Sequence, residues 1–252
     1  MSDSKAKTKT TANKSSPVDQ FIPEMMAMLE AGVHFGHERS KRNPKMEKYI
    51  FMHRNRVAIF DLEQTMGELK KAALFAYNTA RVPGNDILFV GTKRQARSIV
   101  KKYAEEVKQP YVTLRWLGGT LTNFRTIQKS IEKLDELKSM EKDASFARLT
   151  KKAKAVRQKE VERLEKVLEG IRAMRRLPAA LLVAGLHNDQ IAIREARRMN
   201  IPIIGIADTN ADPSAATYPI PANDDAIRSL DLILGVVTKA IALGQTNQIK
   251  QL

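Results

Sequence analysis

Apolar positions along this chain follow two rhythms. Short unbroken apolar runs occur at Asp86–Val90 (DILFV), Ala179–Ala184 (AALLVA) and Pro202–Ala207 (PIIGIA). Runs of this kind read as strands buried on both faces of a sheet. Stretches with helical spacing follow them, from Lys93 to about Val107, over Asp189–Met199 and over Asn223–Leu243. Tyr111–Leu114 reads as a further strand. Strand-then-helix alternation predicts an α/β fold with a doubly wound, mostly parallel sheet, Rossmann- or flavodoxin-like, and helices on both faces. Upstream, Pro23–Ala31 predicts a short amphipathic helix with Pro23 in its first turn. Residues 32–48 predict a loop rich in Gly, Pro and base, and Tyr49–Met52 and Val57–Phe60 two extended runs. Gln64–Arg81 predicts a helix with Leu69, Ala72, Ala73, Ala76 and Tyr77 on one face.

Residues 124–177 break the alternation. Ile127, Ile131, Leu134 and Leu137 form a narrow apolar stripe, and Ala153, Val156, Leu164, Leu168 and Ile171 form another near a heptad-like seam. Two long polar helices with such stripes predict an inserted, protruding α-helical coiled-coil hairpin. The organisation expected is therefore a disordered basic tail at 1–20, an α/β core at 21–123 and 178–245, the arm at 124–177 and a tail at 246–252.

Charge changes the picture more than length does. The chain has 252 residues, with 43 Lys+Arg against 28 Asp+Glu, a formal net charge of +15. The surplus is confined to three blocks, 34–56, 92–119 and 120–177, while the rest is nearly neutral. Such clustering is the footprint of a phosphate-rich partner. The absence of cysteine excludes a disulfide framework, a thiol nucleophile, an iron–sulfur cluster and Cys-ligated zinc. No apolar run approaches the roughly 18 residues of a membrane span, and no signal peptide opens the chain. A soluble protein of a reducing compartment, without a membrane or small-molecule partner, is the expectation.

Candidate chemistry sits in the basic blocks. The turn FVGTKRQARS (89–98) joins a strand to a helix start, where free backbone N–H groups and the helix dipole favour anions. Lys93, Arg94 and Arg97 add charge there, so either a phosphate site or a solvated first turn is implied. GxxxxGK[ST] and GxGxxG are both absent, which disfavours a nucleotide enzyme. In 34–49, Arg39, Lys41, Arg42 and Lys45 are placed to meet phosphates, while His34 and His37 fit an ordered loop better than a metal site. In RWLGGTLTNFR (115–125), Trp116 and Phe124 can stack on bases or anchor the root of the arm, and the anchor reading is preferred. Arg115 and Arg125 remain phosphate contacts, and Gly118 and Gly119 permit close backbone approach. On the arm, Arg148, Lys151, Lys152, Lys154, Arg157 and Lys159 occur with no acid between them. Asn223 reads as a helix cap, with Asp224 and Asp225 in the first turn. No nucleophile with a partner base stands at a recognisable spacing, so no catalytic residue is expected. A nucleotide-dependent enzyme and a coiled-coil adaptor for acidic proteins are the competing classes.

Several strings together resemble the bacterial-type ribosomal small-subunit protein two (S-two) family. They are AGVHFGHERSKRNPKMEKYIFMHRNRVAIFDL, ILFVGTKRQA, RWLGGTLTNFRTI, LTKKAKA with ERLEKVLEGI, and IPIIGIADTNADP with IPANDDAIRS. They lie in the family's order over about residues 25–242. The resemblance implies a non-enzymatic structural component of the cytoplasmic small ribosomal subunit. It implies binding to 16S-type rRNA, contact with neighbouring small-subunit proteins and help in recruiting ribosomal protein S-one. It carries over Arg39, Asn43, Lys45, Lys93, Arg94, Arg115, Lys151 and Lys152 as matched RNA-facing positions. Arg42 stands where the family usually has Trp, and AGLHND at 184–189 replaces the usual acidic turn. Zinc-binding members imply a set such as His34, His187, Asp208 and Asp212, but the changed turn leaves the expectation at no cofactor and no metal.

Overall fold

The computed structural model describes residues 16–140 and 150–249. The first fifteen residues of the expected tail, Arg148 with the rest of 141–149, the Lys151 side chain and residues 250–252 lie outside the described residues. The chain opens with α1 (Met25–Glu30), β1 (Phe35–Glu38), β2 (Ile50–Arg54), β3 (Val57–Phe60) and α2 (Leu62–Ala80). It continues with β4 (Ile87–Val90), α3 (Arg97–Glu106), β5 (Tyr111–Val112), α4 (Phe124–Met140) and α5 (Lys151–Leu168). It closes with β6 (Ala180–Val183), α6 (Gln190–Arg198), β7 (Ile203–Ala207), β8 (Tyr218–Pro221) and α7 (Ile227–Ile249). No described helix is long and apolar enough to cross a membrane.

The core is a five-stranded sheet in the order β5-β4-β6-β7-β8, every pair parallel. Counted along the chain, those strands stand second-first-third-fourth-fifth, the flavodoxin order. The pleat sorts side chains to opposite faces. Ile87, Phe89, Ala180, Leu182, Ile204 and Ile206 join one buried cluster with α2, α3 and α7. Leu88, Val90, Leu181, Val183, Ile203 and Ala207 join the other, with α6 and the inner faces of α4 and α5. Both faces are covered, which is why these strands read as continuous apolar runs. The chain is already in the core at Val18, which is fully buried, and α7 runs on past Leu243.

Three elements differ from the pattern-based expectation. The predicted 32–48 loop contains β1, which completes a small antiparallel sheet in the order β1-β3-β2. Its FGHE pattern has no apolar alternation to announce a strand. The β2–β3 connection turns at Asn55 and Arg56, both at positive φ (47 and 65), the geometry of a two-residue hairpin turn. β8, with the sequence YPIP, was hidden by its prolines; it is the sheet's edge strand, where missing N–H donors are tolerated. The predicted helix at Lys93 begins only at Arg97, after a turn over residues 93–96.

The α4 and α5 helices pack against each other and root in the second cluster. Gln128, near the start of α4, donates to the carbonyl of Arg175, beyond the end of α5, at 3.0 Å. Lys133–Glu160 (2.7 Å) and Asp135–Arg172 (2.5 Å) tie the pair. Ile127, Ile131, Leu134, Val161, Leu168 and Ile171 are buried between helix pair and core. Val156, expected in the seam, is 61% exposed. Stepping back from Leu168 in alternate fours and threes gives Leu164, Val161 and Arg157, so Val156 falls one residue out of phase.

One buried carboxylate fixes the connection from β5 to α4. Glu195 lies on the inner face of α6, between buried Ala192 and Ala196. It accepts from Trp116 Nε1 (3.0 Å), from the backbone N–H groups of Gly119 (2.8 Å), Leu121 (3.0 Å) and Thr122 (3.2 Å), and from the Thr122 hydroxyl (3.3 Å). Burial alone would raise its pKa; these donors outweigh it and hold the carboxyl below its usual range. Gly119, at φ +89, lets the loop curl around the carboxylate. Glu195→Gln replaces an acceptor of five bonds by an amide whose nitrogen faces donors. The expected loss is about 2–3 kcal/mol in denaturant unfolding, at unchanged m-value, with the Trp116 fluorescence altered.

Candidate nucleic-acid interface

The first basic block spans β1, two short 3₁₀ turns and the β2–β3 hairpin. Arg39 and Lys41 are exposed. Arg42 pairs with Glu47. Asn43 is a structural residue: its backbone N–H reaches the Thr209 carbonyl at 2.7 Å, and its side chain accepts from the Lys45 N–H at 3.0 Å. Lys45, although exposed, holds Asp212 at 2.7 Å and Ser214 at 3.1 Å. In the second block Arg94 and Arg115 are exposed, and Arg97 is exposed with its Nε on the Thr92 carbonyl at 3.0 Å. In the third, Arg125 and Lys152 are exposed. Arg39, Arg94, Arg97, Arg115, Arg125 and Lys152 carry no ion pair among the described residues.

Lys93 departs from its expected place. Its side chain is only 14% exposed and turns inward, with Nζ 2.6 Å from Asp224 and 2.7 Å from Asp225. The reason lies at the carboxyl edge of the sheet. Asp208 follows β7 and Asp224 follows β8, each 1% exposed. Two buried carboxylates side by side require positive charge. Lys93 supplies part of it. Burial pulls its pKa down, but the bonds to Asp224 and Asp225 outweigh that and hold it above the ordinary value. His37 supplies the rest, with Nδ1 2.9 Å from Asp208 and Nε2 3.2 Å from Asp225. The Asp208 hydrogen bond raises the His37 pKa against the effect of burial. Burial and the charge of Asp208 push Asp224 up to about 6. Asn223 does cap the turn before α7, accepting from Asp225 (2.8 Å) and Ala226 (3.1 Å). Asp224, by contrast, is an internal ion-pair member and not a solvated first-turn acid.

The proposed zinc set is not assembled. His34, His187 and Asp212 do not join Asp208; the residues gathered there are His37, Asp208, Asp224 and Asp225, with ligand atoms within 4.8 Å of one another. Two of these carboxylates, Asp224 and Asp225, already share the Lys93 ammonium. The nucleotide reading also loses its seat. At the β4/β6 switch point the Thr92 hydroxyl and backbone N–H both donate to Asp189, at 2.7 and 3.4 Å. Asp189 is 3% exposed, and burial raises its pKa while the Thr92 bonds oppose the rise. The Thr92 donors at this switch point are thus spent on an acidic group, which disfavours a phosphate there.

Trp116 and Phe124 are anchors. Trp116 is buried in the second cluster and Phe124 packs against it. The residue the sequence reading missed is Glu195. Its only signal was an acid on the apolar side of the IAIREARR helix. His37 gives a pH signature. Its charged form is favoured in the folded state, so the stabilisation is fully present below the unfolded value of about 6.5 and is lost as pH rises through the raised folded value. Asp224 acts in the same direction lower down, between its ordinary value and about 6. Unfolding stability is therefore expected to fall as pH rises from 6 to 8. In His37→Gln, denaturant melts across that range should be flatter above pH 6.5 than in the wild type.

Residues 28–244 match the family described as Ribosomal protein S2. The small ribosomal subunit protein uS2 of Salinibacter ruber is 48% identical over 217 residues, 86% of this chain and 68% of that one. The chain belongs to the ribosomal protein S2 family, structural proteins of the small ribosomal subunit and not enzymes.

Proposed function

We propose that the chain is an rRNA-binding structural protein of the cytoplasmic small ribosomal subunit, gripping 16S-type rRNA by its phosphates and helping to seat ribosomal protein S-one beside neighbouring small-subunit proteins. The observation that carries the rRNA reading is that expected contact residues from each basic block, Arg39, Arg94, Arg97, Arg115, Arg125 and Lys152, are exposed with no acid partner among the described residues. They come from all three basic blocks and are carried on helices and on the turns and connections between elements of one α/β body. Like charges held so on a free surface repel one another, and an anionic scaffold removes that penalty. Phosphate contacts position without specifying, and folded RNA is recognised largely by shape. A preformed platform suits that task.

The α4–α5 pair, within residues 124–177, acts as a coiled-coil arm that widens the footprint and fixes orientation on the subunit. In sequence, Arg148 and Lys151 belong to the same basic run as Lys152. Lys93, Arg42, Asn43 and Lys45 contribute by shaping the loops that present the free cations. The S-one role rests on family membership and on the Salinibacter ruber relative being a small-subunit protein.

Binding of an rRNA fragment is expected to weaken linearly with log salt, with a log–log slope of about −3 to −5 for this many phosphate contacts. Fluorescence anisotropy across a salt series reads it, and a slope near zero would overturn the proposal. In sucrose gradients the chain should co-sediment with small subunits at low salt and leave them at high salt. Subunits assembled without it should retain less S-one.

A further inference from the structure

Residues 178–252 carry no net positive charge in sequence, yet one helix face there is strongly basic. Arg194, Arg197 and Arg198 are all exposed on α6, and spacing of three and four places them on neighbouring positions of one face. None has an acid partner among the described residues; Arg194 spends only its Nε, on the Gln190 carbonyl at 3.3 Å. The helix dipole favours bases in the last turn, at Arg197 and Arg198. Arg194 sits a turn earlier and gains nothing from it.

The same helix turns Glu195 inward to clamp the 116–122 loop, so these arginines ride on one rigid unit with Arg115. Beside them lies a cleft of about 360 Å³ lined by Asn43, His187, Arg194, Arg197, Asn210 and Asp212 among others. Asp212, the acid of that lining, is already neutralised by Lys45. The remaining polar groups are cations, amides and an imidazole, while its apolar members Leu186 and Ile193 are buried. Ile191 on the same helix is also exposed, but the other groups on this face and in the cleft offer charge and donors, which a polyanionic strand needs.

We propose that the outward face of α6 and the adjoining cleft form a further contact for an RNA backbone, with Arg194 and Arg197 holding its phosphates. This rests on the rRNA-binding reading above and adds to it a surface that the charge blocks along the sequence conceal. The guanidinium forks suit phosphate oxygens, and the Asn43 amide lies within the same cleft for ribose or phosphate, while the Asn210 amide nitrogen is held on His37 at 3.3 Å.

The test uses the full chain and a 16S-type rRNA fragment that the wild type binds. Arg194→Gln/Arg197→Gln is expected to weaken binding at least about fivefold at 100 mM salt and to reduce the log–log slope by about 1–2. Arg228→Gln, an exposed arginine on α7, should change neither. Arg194→Lys/Arg197→Lys keeps the charge and should keep the slope. All three side chains are exposed, so thermal melts should match the wild type. A steep wild-type slope that the Gln pair leaves intact would overturn this inference and leave the rRNA reading standing. A Lys pair as defective as the Gln pair would also overturn it, as phosphate neutralisation would not be the cause. A wild-type slope near zero would remove both.

Discussion

Burying a carboxylate in a protein interior is unfavourable unless hydrogen bonds or opposite charge replace the lost water. Glu195 meets that requirement with the indole of Trp116, three backbone N–H groups and the Thr122 hydroxyl. The consequence runs in the other direction too. A seven-residue loop with two glycines has no conformation of its own, and the carboxylate gives it one. That loop connects the parallel sheet to α4, so the position of the helix pair on the body follows from α6. Arg115 and Arg125 stand just outside it, one at each end. Their separation is set by the clamp and not by the flexibility of the loop.

A second group of buried acids works at the carboxyl edge of the sheet. Asp208 and Asp224 emerge from neighbouring strands and are held by His37, Lys93 and backbone N–H groups. His37 comes from β1 and Lys93 from the turn after β4. The cluster therefore joins the small antiparallel sheet to the large parallel one. Its internal compensation also subtracts charge from the surface. Lys93 counts toward the formal surplus but meets an acid inside the molecule. The charge available to a partner is therefore a matter of which cations lack acids, and those include Arg39, Arg94, Arg97, Arg115, Arg125, Lys152 and the α6 arginines.

A family of structural ribosomal proteins needs a surface that is correct before its partner arrives. Flexible tails could supply charge, but each ordered residue then costs conformational entropy on binding. Here Arg97 stands on α3, Arg125 on α4 and Arg194, Arg197 and Arg198 on the nine-residue α6. The flavodoxin strand order brings a crevice at the switch point, the usual seat of a small ligand in such sheets. Here Asp189, held by Thr92, lines that crevice with a carboxylate. The fold thus keeps the architecture of a nucleotide binder while turning its chemistry toward a stable scaffold.

The sequence by itself determined the parallel sheet and its two helical layers, because strands such as ILFV and ALLV, buried on both faces, leave an unbroken apolar record. It determined the three basic blocks, the anchor role of Trp116 and the family, through long strings with unusual residues. It did not reveal β1, whose FGHE lacks alternation, or β8, whose prolines are tolerated only because the strand lies at an edge. Nor did it separate Lys93 from Arg94, neighbours with the same formal charge. Only the tertiary structure decided that one faces two aspartates 131 and 132 residues further along the chain and the other faces water. The reason is physical: local pattern records which side chains avoid water, whereas pairing of charges depends on which distant segments the sheet brings together.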